Sequence, residues 1–316
     1  MREALAGLAV LALGATLVAV MVEPRTPHAD EQRALSRWRS PARPSADGVV
    51  RFFVIGDWGQ GNAGMRDVAA GVARAVASAP GFTFGLTLGD NFYPRGVRSV
   101  TDARWERFYE QSYGRLRLPV YATLGNHDWY ARDASAQWRY VGASRTWQMP
   151  APRYSFAVGD VQLIALDTTR WSRAQASWLD GELRAAAKRR WVIVYGHHPL
   201  YSHGMHGDNR VMIRNLGYLL RGRADFYISG HDHDKQILVR ADRPIFVVAG
   251  ASASVRPVRR GRATRFAQST LGFAGFELRG DRALVRFYGV DGKVEHESRF
   301  APRVMAAKAA RSPRAR

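Results

Sequence analysis

The sequence predicts a layered α/β fold in which sheets lie buried between helices, and three observations predict it. From Val49 onward, short apolar, β-branched runs alternate with stretches of helical spacing. The last third turns strand-rich, and neither an internal repeat nor a second linker divides the chain. A chain of 316 residues that is 46% hydrophobic and 23% charged can bury the core this needs, and its composition is globular.

The elements follow in order. Val50–Ile55 is the first strand, ending at Gly56-Asp57. Met65, Val68, Val72 and Val76 recur at helical spacing, so residues 65–79 form a helix. Residues 83–88 are a strand ending at Gly89-Asp90, 102–113 a helix, and 120–124 a strand ending at Gly125-Asn126-His127-Asp128. Tyr154–Val158 and residues 161–167 form a hairpin about Gly159-Asp160. A helix over 173–189, a strand over Trp191–Tyr195, a helix over 210–220 and a strand over Phe226–Ser229 come next. Strands over 237–240, 245–248, 272–278 and 283–288 close the body.

Five of these strands end at a glycine one or two residues before a side chain able to bind metal: Asp57, Asp90, Asn126, His197, and the pair His231 and His233. In open α/β sheets ligands gather beyond the carboxyl ends of strands, so these loops would aim six donors into one crevice. With no cysteine in the chain, iron–sulfur clusters, Cys-ligated zinc, thiol nucleophiles and disulfides are excluded together. Carboxylate, amide and imidazole donors suit Fe, Mn or Zn. Six donors exceed what one ion takes while leaving water positions open, and with one carboxylate bridging they suit two ions about 3.5–4 Å apart.

The flanks differ from this body. Residues 4–22 carry no charge and are just long enough, at about 1.5 Å per residue, to span a bilayer core. An uncleaved anchor and a cleaved signal are both open for residues 1–23. Residues 24–47, with four prolines, read as a linker, 48–300 as the folded domain and 301–316 as a basic tail. The net charge of +20 is concentrated in the linker, the tail and the stretch 253–267, and it points to an anionic partner.

The five motifs carry a resemblance. Asp57-Trp58-Gly59, Gly89-Asp90-Asn91-Phe92-Tyr93, Gly125-Asn126-His127-Asp128, Val194-Tyr195-Gly196-His197 and Gly230-His231-Asp232-His233 resemble those of the purple acid phosphatases, small mammalian-like type, within the calcineurin-like metallophosphoesterases. The resemblance implies an α-β-β-α sandwich with its metal site at strand C-terminal ends. It implies Asp57, Asp90, Tyr93 and His233 on Fe(III), with Asp90 bridging to a divalent Fe(II), Zn(II) or Mn(II) ion held by Asn126, His197 and His231. A metal-bound hydroxide would then hydrolyse phosphomonoesters of small molecules or phosphoproteins. Asn126, His127 and Arg95 would contact substrate. His127 and His206 would act in catalysis, with His203 and His198 competing for the role given to His206, and Asp128 would orient His127. The chain departs from the family in its short 168–174 loop and in lacking cysteine for the family disulfide.

A monomer acting outside the cytoplasm, periplasmic or secreted and anchored or not through residues 4–22, with no specific nucleic-acid partner, completes the expectation. Two alternatives stand beside it: a phosphodiesterase or nucleotidase of the same fold, and a basic polyanion-binding protein. The run Gly59-Gln60-Gly61-Asn62-Ala63-Gly64 imitates a dinucleotide fingerprint, but the acid expected about 20 residues later is absent.

Overall fold

The computed structural model describes residue 35 and residues 38–78, 81–241 and 244–303. Fourteen strands among them form two seven-stranded sheets. The first sheet runs β14-β13-β12-β1-β2-β3-β4 and the second β11-β9-β10-β8-β7-β6-β5. Their spans are β1 Val50–Ile55, β2 Phe84–Thr87, β3 Val120–Ala122, β4 Trp147–Gln148, β5 Tyr154–Val158, β6 Val161–Ala165 and β7 Trp191–Tyr195. The rest are β8 Phe226–Ser229, β9 Lys235–Leu238, β10 Ile245–Ala249, β11 Thr264–Gln268, β12 Phe273–Arg279, β13 Arg282–Tyr288 and β14 Val294–Phe300.

Side-chain alternation sorts the two faces of the second sheet. In β7, Trp191, Ile193 and Tyr195 join the core shared with the first sheet, while Val192 and Val194 join a second core under the helices. The first core is locked by an aromatic ladder. Phe52 pairs in register with Phe84 on one side and Phe276 on the other, and its ring stacks on both at 4.9 and 5.0 Å. Phe226 of the second sheet meets Phe276 edge-on at 5.4 Å, which ties one sheet to the other. Helix α1 (Ala63–Ala77) buries Met65, Val68 and Val72 against the first sheet. Asn62 caps it by accepting from the Met65 N–H.

The two helices expected over 102–113 and 210–220 are each interrupted. Trp105–Glu110 is wound into wider i→i+5 turns and leads to a 3₁₀ turn over Gly114–Leu116. In the second, an i→i+5 segment over Ile213–Gly217 lies between Arg210–Met212 and Tyr218–Leu220.

The domain is wider than its expected bounds. Of the linker read over 24–47, the described part from Trp38 onward lies on the fold. The Trp38 ring meets Tyr121, Tyr154 and Phe156 edge-on, Ala42 is buried, and Ser40 Oγ and the Ala42 N–H both bond the Tyr121 hydroxyl. One tryptophan seats a segment whose proline and arginine content reads as solvated. At the other end Arg303, assigned to the basic tail, is buried against Asp225. The anchor or signal read over residues 4–22 and most of the tail lie outside the described residues. Among those described, no helix is long and apolar enough to cross a membrane.

Candidate metal centre

The strand ends converge as the spacing requires, and three of the donors sit on left-handed backbone. Asp57 (φ 56°), Asp90 (φ 50°) and His231 (φ 68°) occupy a region that side-chain-bearing residues rarely adopt, which concentrates strain at one crevice. The carboxylates lock these turns. Asp57 Oδ2 accepts the His231 N–H and Asp90 Oδ1 accepts the His127 N–H, each at 2.8 Å. Each carboxylate thereby turns its other oxygen to the crevice.

Seven side chains meet there in two groups that share Asp90. In the first, the Tyr93 hydroxyl lies 2.8 Å from Asp90 Oδ2, 3.2 Å from Asp57 Oδ1 and 3.3 Å from His233 Nε2. His233 Nε2 is 3.4 Å from Asp57 Oδ1. In the second, His197 Nε2 lies 3.0 Å from Asn126 Oδ1, 3.1 Å from His231 Nδ1 and 3.5 Å from Asp90 Oδ2. Donors around an ion with bonds of about 2.1 Å stand roughly 3.0–3.4 Å apart, which is the spacing these atoms have.

The second group is arranged to receive a cation. Leu88 O, which can only accept, lies 2.9 Å from His197 Nδ1, so that nitrogen carries the proton. Nε2 is thereby the nitrogen turned to the Asn126 and Asp90 oxygens. Burial disfavours the charged ring, but Asp90 and Asp57 outweigh it and raise the His197 pKa, so the site is one that attracts a cation, and a metal ion taking the place of the Nε2 proton would meet all three donors. Asp57 and Asp90 are buried, with no Lys or Arg paired to them among the described residues. Burial alone would raise the Asp57 carboxyl, but the His233 hydrogen bond and the nearby His197 outweigh it and hold it down at about 2. Burial and the charges of Asp57 and Asp90 push the Tyr93 phenol far above its ordinary value. Burial, with His197 alongside, drives His231 down to about 2, which keeps its imidazole a neutral donor. The residues present fit a two-ion site.

Around these donors a network joins the loops after β1, β2 and β3. Trp58 Nε1 donates to Asn91 Oδ1, Asn91 Nδ2 donates to Thr123 O, and the Asn91 N–H donates to Asp128. Asp128 also accepts from Gly125 N at 2.8 Å and Gln137 Nε2 at 2.8 Å, capping helix α2 (Asn126–Trp129). This corrects the role expected for Asp128. Its oxygens are taken up by these donors, and the His127 ring is instead held by Pro94 O, 2.8 Å from Nδ1. The proton is therefore on Nδ1, and Nε2 is the nitrogen left for the crevice, 4.0 Å from Asp90 Oδ2.

Of the competing histidines, His206 reaches the site and His203 does not. The His206 ring stacks on His231 at 4.2 Å. His203 Nδ1 instead meets Thr264 Oγ1 at 2.7 Å, with its ring against Gly261. His198 stands beside His197 and His231 with its Nδ1 on Thr168 Oγ1. The arginine at the site is Arg256 rather than Arg95. Arg256 Nη1 donates to His206 Nε2 at 2.8 Å, and its backbone N–H donates to His233 O. The Arg95 side chain is exposed, and none of the site's hydrogen bonds among the described residues involves it. Ser254, which meets His233 Nδ1 at 2.8 Å, carried no signal in the sequence, whereas Arg256 lay in a basic run that did.

The glycines that imitate a nucleotide fingerprint are closed by the protein itself. A Cβ at Gly59 would meet Asn91 O at 1.9 Å, one at Gly61 the Phe108 ring at 2.4 Å, and one at Gly64 Ala253 O at 2.3 Å. The first leaves no room for a side chain two residues after Asp57.

Trp129 fastens α2 to the end of β6. Its Nε1 donates to buried Asp167 at 3.0 Å, and Arg170 lies over its ring at 3.6 Å. Burial raises the Asp167 carboxyl from 3.8 to about 6. A carboxyl raised on folding contributes stability that is present below the ordinary value and lost as pH climbs through the folded one. Asp167→Asn is expected to remove about 3 kcal/mol of the wild-type loss between pH 4 and pH 8, read by urea unfolding at both pH values. An unchanged pH slope would refute it.

The calcineurin-like phosphoesterase family model matches residues 50–235. The chain is 32% identical over 248 residues to tartrate-resistant acid phosphatase type 5 of Rattus norvegicus, covering 66% of this chain and 74% of the relative. It is 30% identical over 298 residues to purple acid phosphatase 17 of Arabidopsis thaliana, covering 83% and 87%. Among solved structures, Plasmodium GAP50, described as the anchor in the inner membrane complex, superposes with a TM-score of 0.73 at 25% identity, covering 80% of this chain and 89% of that one.

Proposed function

Because this chain belongs to the calcineurin-like phosphoesterase family and is a phosphoester hydrolase, we propose that its substrates are phosphomonoesters and its centre a ferric ion paired with a divalent Fe, Zn or Mn ion. The observation that carries this reading is the Tyr93 hydroxyl among Asp57, Asp90 and His233, since a phenolate is a hard anionic donor suited to Fe(III). Asp57, Asp90, Tyr93 and His233 would hold the ferric ion, and Asn126, His197 and His231, sharing Asp90, the divalent one. Bound there, the ions supply Lewis acidity for attack of water on phosphorus.

The remaining work falls to the chain's own groups. His127, with the Nδ1 proton tied to Pro94 O, turns Nε2 to the crevice, where that nitrogen, once it has taken up a second proton from solvent, can hand it to the departing oxygen and return to the neutral ring. Arg256 can only donate to His206 Nε2, so that nitrogen is an acceptor and His206 serves as a positioning group in this arrangement. The Arg256 guanidinium, with no carboxylate paired to it among the described residues, is the cation available to a phosphate dianion. The same reading gives the protein an extracytoplasmic setting, on the strength of the apolar run over residues 4–22.

A substrate panel and a spectrum test this reading. On p-nitrophenyl phosphate, kcat/KM is expected to exceed that on bis-p-nitrophenyl phosphate by at least about tenfold, and faster diester cleavage would overturn it. The iron-loaded protein is expected to absorb in the visible, and Tyr93→Phe to lose that band while remaining folded. A band retained in Tyr93→Phe would remove the phenolate from the account.

A further inference from the structure

We propose that the cavity between the helical stretch 210–220 and strands β9 and β10 is a second binding site, one that takes a phosphorylated ligand with a planar aromatic body, of the nucleotide class. The cavity has a volume of about 640 Å³, the size of a small-molecule pocket. None of the seven candidate metal ligands lines it. It lies along the loop that also serves the metal centre: Tyr201 and His203 line the cavity, while His206, three residues on, stacks on His231.

Its lining combines two chemistries. Phe246, Val239 and Ile213 supply apolar wall, and Arg214, Arg240 and Arg262 supply charge, with no acidic residue lining it among those described. Elsewhere this protein pairs its structural arginines with carboxylates, as Arg51 with Asp47 and Arg303 with Asp225. No carboxylate among the described residues pairs with Arg214, Arg240 or Arg262. Three guanidinium groups lining one cavity, with no carboxylate paired to them among the described residues, are suited to a phosphate, which an arginine can bind in bidentate fashion.

The aromatic half of the ligand follows from Tyr218. Its side chain is 63% exposed, an unusual cost for a large ring, and no ring contact occupies it among the described residues. It stands four residues after Arg214 on the same helical stretch, so stacking surface and cation are neighbours on one face. Also in the lining, the Arg240 guanidinium lies 4.1 Å over the Tyr201 ring, which holds a second cation against an aromatic wall. The i→i+5 segment Ile213–Gly217 lines this cavity, and such wide turns recur at functional sites.

The test is calorimetric titration of the metal-loaded protein with α,β-methylene-ADP, a nucleotide with a non-hydrolysable bridge. Wild type is expected to bind it at a site that persists in Asp90→Ala, where the metal centre is disabled. Arg214→Gln/Arg240→Gln is expected to weaken that site at least about tenfold while p-nitrophenyl phosphate turnover stays at wild-type level, which also reports that the variant is folded. Methylenediphosphonate, lacking the aromatic body, is expected to bind at least about tenfold more weakly, and Tyr218→Ala to erase that difference. Binding that vanishes in Asp90→Ala, or that ignores the double arginine substitution, would overturn the proposal. So would equal affinity for methylenediphosphonate, or loss in the double variant of binding to phosphatidylglycerol vesicles alone, which would identify a lipid-facing patch.

Discussion

Asp90→Ala is expected to lower kcat/KM for every phosphoester by at least about 10³-fold, because its carboxylate is the one side chain common to both donor groups. Oδ2 accepts from the Tyr93 hydroxyl and faces His197 Nε2, while Oδ1 accepts from the His127 N–H and so sets the loop carrying Asn126 and His127. Its removal should lower metal content in both groups at once, whereas loss of a donor such as Asn126 touches one. The fold should survive, since the substitution withdraws a buried negative charge next to Asp57 and Asp128 rather than exposing one. Asp90→Asn, which retains an oxygen for the His127 N–H but no charge, is expected to lose nearly as much. Activity within tenfold of wild type in either variant, measured at saturating metal, would remove Asp90 from the shared position.

The second large effect concerns stability. Arg303→Ala is expected to destabilise the fold by about 3–5 kcal/mol in urea unfolding at pH 7. Asp225 is buried, and Arg303 meets it twice, through its backbone N–H and through Nη1 at 2.6 Å. Arg303 Nη2 also donates to the carbonyls of Ala187 and Arg189 at the end of the helical stretch 173–188. Truncation takes the Arg303 guanidinium away from a buried carboxylate, and burial already raises that carboxyl despite Arg303. Without Arg303 the carboxyl rises further, so the deficit should shrink as pH falls and Asp225 takes up a proton. Arg303→Ala/Asp225→Asn should recover part of the loss. A deficit under about 1 kcal/mol would show that the pair is solvated in solution.

How much of this the sequence disclosed depends on burial. Strands β1, β7 and β8 are read to the residue because both their faces are covered, which leaves continuous apolar, β-branched runs. Strands β11 and β14 lie at sheet edges and alternate charge with isolated apolar residues, so nothing in Thr-Arg-Phe-Ala-Gln or Val-Glu-His-Glu-Ser-Arg-Phe separates them from loops. Helix α2 spans four residues, too few for a period to register. The segment from Trp38 to Asp47 has the composition of a tether, and its attachment depends on Tyr121 and Tyr154, with the Ala42–Tyr121 bond spanning 79 residues of chain.

The site divides in the same way. Six of the seven donors are legible because each follows a strand-ending glycine within three residues, whereas Tyr93 came only with the family resemblance. What surrounds them is tertiary: Asp128 faces Asn91 and Gln137 rather than its neighbour His127, and Arg256 meets His206 across 50 residues. The choice between His203 and His206 likewise turns on the path of the 201–207 loop, which sends one ring to Thr264 and the other to His231. The left-handed turns at Asp57, Asp90 and His231 also left no mark, since the sequence offers a glycine beside each of them and a side chain at the strained position itself.

Metal content per folded chain tests the central claim most directly. The purified protein, analysed by inductively coupled plasma mass spectrometry after reconstitution with iron and zinc, is expected to hold about two ions per chain, one of them iron. Asp90→Ala is expected to fall below one. A folded wild-type protein that binds no more than a single ion, or that binds two equally well without Asp90, would contradict the account.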